Sequence, residues 1–273
     1  MTLPLEEKTC VRRATAGRKG RTRSLAPGDA AVRQLHYGRI ILDAGDAPLS
    51  FQTEGLETGL ICLRGGAEIT ATGQTFHFAP YDSIYIPPNT EVRVTPGSDG
   101  CDFAEVAAPV AGAYPLQYVP YETVKTDSSL HFKTGGPTSQ RVVNILIGKN
   151  VKAGRILAGV TFTDPGHWAS WPPHEHGAML EEAYVYIEMP EPGWGIQLVY
   201  TDPRNPELAV VVREGDCVVM PAGYHPNVAA PGTSMRFLWI MAAHREIEDR
   251  QFGVVNVQPE YAAGGTGLEA SRK

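Results

Sequence analysis

The stretch WPPHEHGAMLEEAYVY, Trp171 to Tyr186, sets two histidines one residue apart, at His174 and His176. On an extended chain successive side chains point to opposite faces, so both imidazoles project to one side and Glu175 to the other. Two imidazoles on one face make half of a metal site. After a short turn at Gly177 the run resumes with Glu182, Tyr184 and Tyr186 on one face and Glu181, Ala183 and Val185 on the other. If Tyr184 and Tyr186 line an interior, Glu182 lies there with them; plain counting from His176 favours Glu181. A third imidazole, His225, ends the segment EGDCVVMPAGYH after a tight Pro-Ala-Gly turn. Three neutral nitrogens and a carboxylate accept zinc, manganese, iron or nickel and leave positions open for water or substrate, the pattern of a catalytic ion. An HxH pair alone is common on surface strands. The metal reading rests on its combination with an acidic residue five or six positions on and a G-D-x4-P-x-G-x-H turn about forty residues later. His36, His77, His131 and His244 have no partner at ligand spacing and read as surface or hydrogen-bonded residues, whereas His167 stands near enough to reach a pocket mouth.

Elements that would hold such a site are strands. The 29 glycines and 22 prolines are spread along the chain, and no long stretch has helical period. What recurs is a short run of Val, Ile, Leu and Tyr closed by a turn, as in GLICLRGG, DSIYIPPN, EAYVYIEM, GIQLVYTD and CVVMPAGY, which predicts an all-β protein with few helices. Asp82-Ser-Ile-Tyr-Ile-Pro87 lines up with Asp216-Cys-Val-Val-Met-Pro221, and this repeat predicts a duplicated barrel. The first copy is placed at 28–110 and the second at 140–245, with a Pro- and Tyr-rich linker at 111–139 and a C-terminal tail at 246–273. The basic residues Arg12, Arg13, Arg18, Lys19, Arg21 and Arg23 could form an arm for an anionic ligand, but read first as a solvated, partly ordered N-terminal tail.

Composition narrows the partners. With 273 residues, 42% of them hydrophobic, the chain supports one large or two ordinary cores. A net charge of -6 argues against a general nucleic-acid binder, which needs basic surface to displace counterions. No apolar run spans a membrane and the N-terminus lacks the apolar core of a signal peptide, so a cytoplasmic place and a small-molecule partner are expected. The cysteines Cys10, Cys62, Cys101 and Cys217 form no CxxC pair, and Cys62 and Cys217 read as core. Exposed barrel edges and a first copy without ligands point to a homo-oligomer.

GHWASWPPHEH, EEAYVYIEMPEPGWGIQLVYTD and REGDCVVMPAGYHPNVAAPG resemble the two signature motifs of cupins, and the whole chain resembles the 5-deoxy-glucuronate isomerase family of inositol catabolism. The resemblance implies a double cupin, two jelly-roll β-barrels in one chain, of which only the second binds metal. It is similar as well to the 4-deoxy-5-keto-uronate ketol-isomerases of pectin breakdown, whose E-x-Y-x-Y strand resembles Glu182 to Tyr186 and supports Glu182 over Glu181. The short Gly177-to-Leu180 loop is closer to the pectin-pathway form. In the first copy Glu91 stands where His225 would be, and Asp46 to Phe51 where the HxH would be, so that barrel is expected to be metal-free.

What the resemblance implies is an aldose–ketose isomerase acting on a deoxy-uronate sugar acid, with one divalent ion, zinc or manganese first and iron or nickel next, held by His174, His176, Glu182 and His225. Tyr184, Gln197, Tyr200 and a water on the ion are the candidates for acid–base work. Arg141 and Arg236 are candidates for the substrate carboxylate, with a surface salt bridge as the plain alternative for each. Trp168, Trp171, Tyr186, Trp194 and Trp239 shape the pocket or simply pack the core. Two rival readings keep the fold: an iron-dependent cupin dioxygenase with the same ligands, and a non-catalytic sugar-binding cupin. A regulator of the second kind would carry a DNA-reading helical module, and no such segment is visible before residue 28 or after residue 245.

Overall fold

The computed structural model describes residues 4–28 and 30–264. Its regular structure is nearly all strand, beside two short α-helices, Glu7–Cys10 and Tyr121–Thr126, and a 3-10 turn at Pro259–Gly264. The β-branched and aromatic runs form strands because they fit a pleated, half-buried surface, and the Gly and Pro clusters between them take the turns. The chain is an all-β double cupin.

In the first unit one sheet runs in the order Gly20–Leu25, His36–Leu42, Glu91–Pro109, Leu56–Ala71, Ser83–Ile86, Gln117–Val119, with Leu49–Gln52 and Gln74–Phe78 paired to its two long strands. The second unit has a seven-stranded sheet, Val11–Arg12, Cys217–Met220, Leu180–Ile187, Arg236–Ala243, Ile156–Thr163, Arg141–Ile147, His131–Thr134, and a four-stranded one, Trp168–Ala169, Asn227–Ala229, Gly195–Val199, Leu208–Val212. Leu208–Val212 alternates buried and exposed, the mark of a sheet with one wet face, whereas every residue of Leu180–Ile187 is buried.

Alternation also explains how the units meet. Along Leu56–Ala71, Leu60 and Cys62 enter the first unit's own core, while Ile61 and Leu63 enter the larger core shared with the second unit. Gly59 lies at the closest approach: a Cβ there would stand 2.8 Å from the Ile147 side chain and 2.9 Å from that of Val106. The repeat seen in the sequence is a repeat in register. Ser83–Ile86 and Cys217–Met220 are both strands, Thr58 pairs with Ile86 as Glu182 pairs with Met220, and each preceding Asp accepts a hydrogen bond from the backbone N–H three residues before it.

Three segments read as tails or linker are built into the sheets. Val11–Arg12 pairs with Cys217–Val218, Arg13 bonds Asp216, and Arg21 and Arg23 reach the buried Glu105, so the basic N-terminal run is anchored to both units, while Arg13, Arg18 and Lys19 stay exposed. Within 111–139, Gln117–Val119 pairs with Ser83–Tyr85 of the first unit and His131–Thr134 with Arg141–Asn144 of the second. Of the expected C-terminal tail, 246–264 lies against the second unit, and 265–273 falls outside the described residues. All four cysteines are buried and unbridged. Among the described residues no helix is long and apolar enough to cross a membrane.

An arginine–carboxylate pair is buried in the shared core. Arg39, 1% exposed, donates through Nε to Asp102 at 2.9 Å, and a second guanidinium N–H reaches the other carboxylate oxygen. Asp102→Ala leaves that guanidinium buried without its anion, and a loss of about 3–5 kcal/mol is expected. Urea unfolding of the two proteins checks it; a loss below 1 kcal/mol would mean that water reaches Arg39.

Candidate metal centre

The centre forms where three short elements meet. His174–Glu175 is a two-residue strand, Leu180–Ile187 carries Glu182, and His225 follows the Pro221-to-Tyr224 turn after Cys217–Met220. His176 Nε2 lies 3.0 Å and His225 Nε2 3.1 Å from the same Glu182 oxygen, and one ligand atom from each of His176, Glu182 and His225 lies within 4.8 Å of the others. The His174 ring lies beside this group, outside the 4.8 Å set, its centroid 5.0 Å from that of His225 and 6.3 Å from that of His176. All four side chains are buried.

The second nitrogen of each ring is already engaged. Nδ1 of His174, His176 and His225 lies 2.9, 3.2 and 2.9 Å from the carbonyls of Pro172, Leu180 and Gly223. A carbonyl only accepts, so Nδ1 carries the proton in each ring and Nε2 is left to offer a lone pair toward the centre, as in metal-ligating histidines. His225 Nε2 is buried with no hydrogen-bond partner, its approach to Glu182 falling outside bonding geometry. An orphaned buried nitrogen aimed at a carboxylate that also meets the His176 imidazole fits a divalent cation.

The electrostatics agree. Burial, and then the neighbouring His225, push His174 down to about 3, so it stays neutral. Burial alone would raise the Glu182 carboxyl, but the adjoining His176, hydrogen-bonded to it, and His225 outweigh it and hold the group at about 2, ionised. Burial would likewise lower His176, yet its bond to the Glu182 carboxylate wins and the imidazole is raised above its ordinary value. A cation on Nε2 must displace the proton this raised value retains, so metal binding near neutral pH is expected to release up to about one proton and to weaken as pH falls. Calorimetry in buffers of different ionisation enthalpy reads that proton directly; binding with none released would show that His176 is neutral before the ion arrives.

Beside the ligands lies a cavity of about 50 Å³. Its polar wall is Arg141, Thr161, Ser170 and Tyr184, and its apolar wall includes Phe237, Trp239 and Met241. Gly159 makes room for Trp239, since a Cβ there would stand 2.1 Å from the indole. The roof comes from Phe252 to Val255, in the segment expected to be tail. That segment is held down where Asn256–Val257 pairs with His174–Glu175, where Tyr200 donates to Gln258 at 2.7 Å and where Phe252 stacks on Trp239.

The candidate residues divide accordingly. Tyr184 faces the cavity with its hydroxyl 2.6 Å from Ser170 Oγ, and Arg141 is buried in the wall, donating to the carbonyls of Ser139 and Trp171 at 2.9 Å each. Gln197 stands behind His225: its amide N–H groups go to the carbonyls of His225 and Pro226, and its oxygen accepts from Tyr186. Tyr200 is spent on Gln258, outside the cavity wall. Arg236 is not brought to the cavity; although it adjoins the cavity-lining Phe237, the pleat turns it to the other face of the sheet, over the Phe162 ring and ion-paired with the half-exposed Glu188. Trp239 lines the cavity, whereas Trp168 packs on Trp171 and Trp171 on Tyr261, and Trp194 is exposed. His167 accepts from the Gln140 N–H.

Residues 10–257 match the model of the KduI/IolB family. The chain belongs to the KduI/IolB family. It is 33% identical to a 5-deoxy-glucuronate isomerase of Geobacillus kaustophilus over 70% of this chain and 73% of that one, and 32% identical to a 5-deoxy-glucuronate isomerase of Geobacillus thermodenitrificans over 82% and 85%. A crystal structure of an IolB-like protein from Salmonella typhimurium LT2 superposes with a TM-score of 0.82 at 24% identity, covering 93% of this chain and 98% of that one. In this KduI/IolB chain the two adjacent glutamates are separated by the pleat. Glu182 meets the histidines, and Glu181 points away to the backbone N–H groups of Arg33, Gln34 and Leu35.

Proposed function

We propose that the chain is a metal-dependent aldose–ketose isomerase converting 5-deoxy-glucuronate to 2-deoxy-5-keto-gluconate in inositol catabolism. Isomerase chemistry follows from the family and from relatives named as isomerases. The metal dependence is read from one observation, the meeting of two Nδ1-anchored imidazoles, His176 and His225, at an ionised Glu182, with the Nδ1-anchored His174 ring beside them.

His174, His176, His225 and Glu182 would hold the ion, with zinc or manganese the first choices for this donor set. When bound there, the ion supplies Lewis-acid polarisation of a carbonyl and its neighbouring hydroxyl, which acidifies the C–H bond between them. The remaining work falls to side chains of the wall. Burial, reinforced by the Glu182 charge, raises the Tyr184 hydroxyl well above its ordinary value, so it stays protonated and donates a hydrogen bond to a carbonyl or hydroxyl oxygen of the substrate. Ser170 fixes the direction of that hydroxyl. Arg141, its fork held in place by two backbone carbonyls, offers planar N–H donors to the sugar carboxylate. Phe237, Trp239, Met241 and Phe252 keep bulk water from the reacting carbons.

The reading extends to a cytoplasmic enzyme, a homo-oligomer, with a small sugar acid as its partner, on the composition and edge-strand grounds given above. The short Gly177-to-Leu180 loop keeps 4-deoxy-5-keto-uronate as the second substrate to examine. Incubation of the protein with either sugar under anaerobic conditions, followed by NMR, separates them: conversion of 5-deoxy-glucuronate is expected. Conversion of 4-deoxy-5-keto-uronate alone would move the chain to the second reading. Turnover only with iron and oxygen would replace both by a dioxygenase.

A further inference from the structure

Glu57 and Glu181 are buried carboxylates, 0% and 1% exposed, and each is satisfied by backbone N–H groups of the other unit. Glu181 accepts from Arg33 through one oxygen and from Gln34 and Leu35 through the other, at 2.7, 2.6 and 2.5 Å. Glu57 accepts from Gly154 through one oxygen and from Arg155 and Ile156 through the other, at 2.8, 2.6 and 2.9 Å, and takes a fourth bond from Tyr85. Three successive N–H groups converging on one carboxylate form an anion cradle.

The two cradles occupy equivalent places. Thr58 faces Ile86 and Ala107 as Glu182 faces Met220 and Met241, which makes Glu57 the counterpart of Glu181. His36 pairs with Ala107 as Leu157 pairs with Met241, so residues 33–35 are the counterparts of 154–156. Each unit therefore grips the other at the same point by the same three bonds. The difference lies in what stands beside the grip. Next to Glu57 is Thr58. Glu181 is flanked by Leu180, whose carbonyl accepts from His176 Nδ1, and by Glu182, whose carboxylate meets His176 and His225.

We propose that Glu181 is a positioning residue of the metal centre, and that the first unit completes that centre by supplying the three N–H groups of residues 33–35. The inference rests on the metal reading above. With Glu181 locked into the neighbouring unit, the strand has one depth and one tilt at residues 180–182, which fixes the carbonyl that orients His176 and the carboxylate that meets two imidazoles. The first unit, where Glu91 stands in place of His225, is thus kept by the chemistry of the second.

The test compares Mn(II) binding to the full-length protein, its Glu181→Gln variant and its Glu57→Gln variant, reading affinity by equilibrium dialysis and ligand geometry by Mn(II) EPR. Glutamine puts an N–H2 group where an acceptor is needed, so both variants break one cradle and both lose stability. Supporting contacts behind metal ligands carry about 10–100-fold in affinity, and Glu181→Gln is expected to weaken Mn(II) binding by that much and to change the spectrum. Glu57→Gln, with the same structural lesion and no ligand beside it, is expected to keep the parent affinity and spectrum. Parent-like binding by Glu181→Gln overturns the inference, as does an equal loss in Glu57→Gln. Should Glu181→Gln not fold, Arg33→Pro removes one N–H donor from the other side of the contact; weakened Mn(II) binding supports the inference and unchanged binding overturns it. Failure of the parent protein to bind Mn(II), zinc or iron at all would refute the metal reading itself, and the inference with it.

Discussion

Glu182→Gln is expected to lower kcat/KM by about a thousandfold or more and to strip the protein of its ion while leaving the fold standing. Polarisation by a bound cation contributes several kcal/mol to stabilising an enediolate-like charge, and about 4 kcal/mol corresponds to that factor. The fold should survive because the three imidazoles are held independently through Nδ1 by the carbonyls of Pro172, Leu180 and Gly223. His225→Ala should lose the ion and the activity in the same way, at some cost in stability because the bond from Nδ1 to the Gly223 carbonyl goes with the ring. Metal content after dialysis, activity and the thermal midpoint, measured on one preparation, check the expectation. A Glu182→Gln protein that keeps its activity would remove the metal from the mechanism.

Tyr184→Phe is the second large effect. It deletes only the hydroxyl at 2.6 Å from Ser170, in a ring packed 4.5 Å from Phe237. A positioned proton donor contributes about 10²–10⁴-fold, so kcat should fall by at least about a hundredfold while KM and metal affinity stay within a few-fold of the parent. Because burial and the Glu182 charge raise this phenol, it remains protonated through the alkaline range, and no loss of rate from its ionisation should be seen as pH rises toward 10. Steady-state kinetics with a parallel metal titration separate the outcomes: a fall in metal affinity matching the fall in kcat would make Tyr184 a support of the centre instead of a proton donor.

The centre was legible in the sequence because its signals are local. His174 and His176 are one pleat apart, Glu182 shares a face with Tyr184, and the Asp216-to-His225 turn is short enough to read as one motif. The pleat also explains why counting from His176 misleads: it reaches Glu181, whose carboxylate is turned to the first unit. The duplication was visible for the same reason, through the turn aspartates Asp82 and Asp216. What could not be read is what closes through distant chain. Phe252, Val254 and Val255 roof the cavity from a Gly- and Pro-punctuated stretch with no strand period, and their docking depends on Tyr200 and the His174–Glu175 edge. Arg141 and Arg236 both start strands at the same end of one sheet, and only the register, which sets Arg141 opposite Thr163 and Arg236 opposite Phe162, puts the first on the cavity face and the second on the other. The N-terminal arginines read as solvated because their partners, Asp216 and Glu105, lie 203 and 84 positions away.

The most direct test of the account is the isomerisation itself, followed by NMR without oxygen, using 5-deoxy-glucuronate and one protein sample before chelation, after chelation and after reloading with manganese or zinc. The account predicts conversion to the keto sugar, its loss with the ion and its return on reloading. Unchanged conversion by protein shown to be free of metal would contradict it.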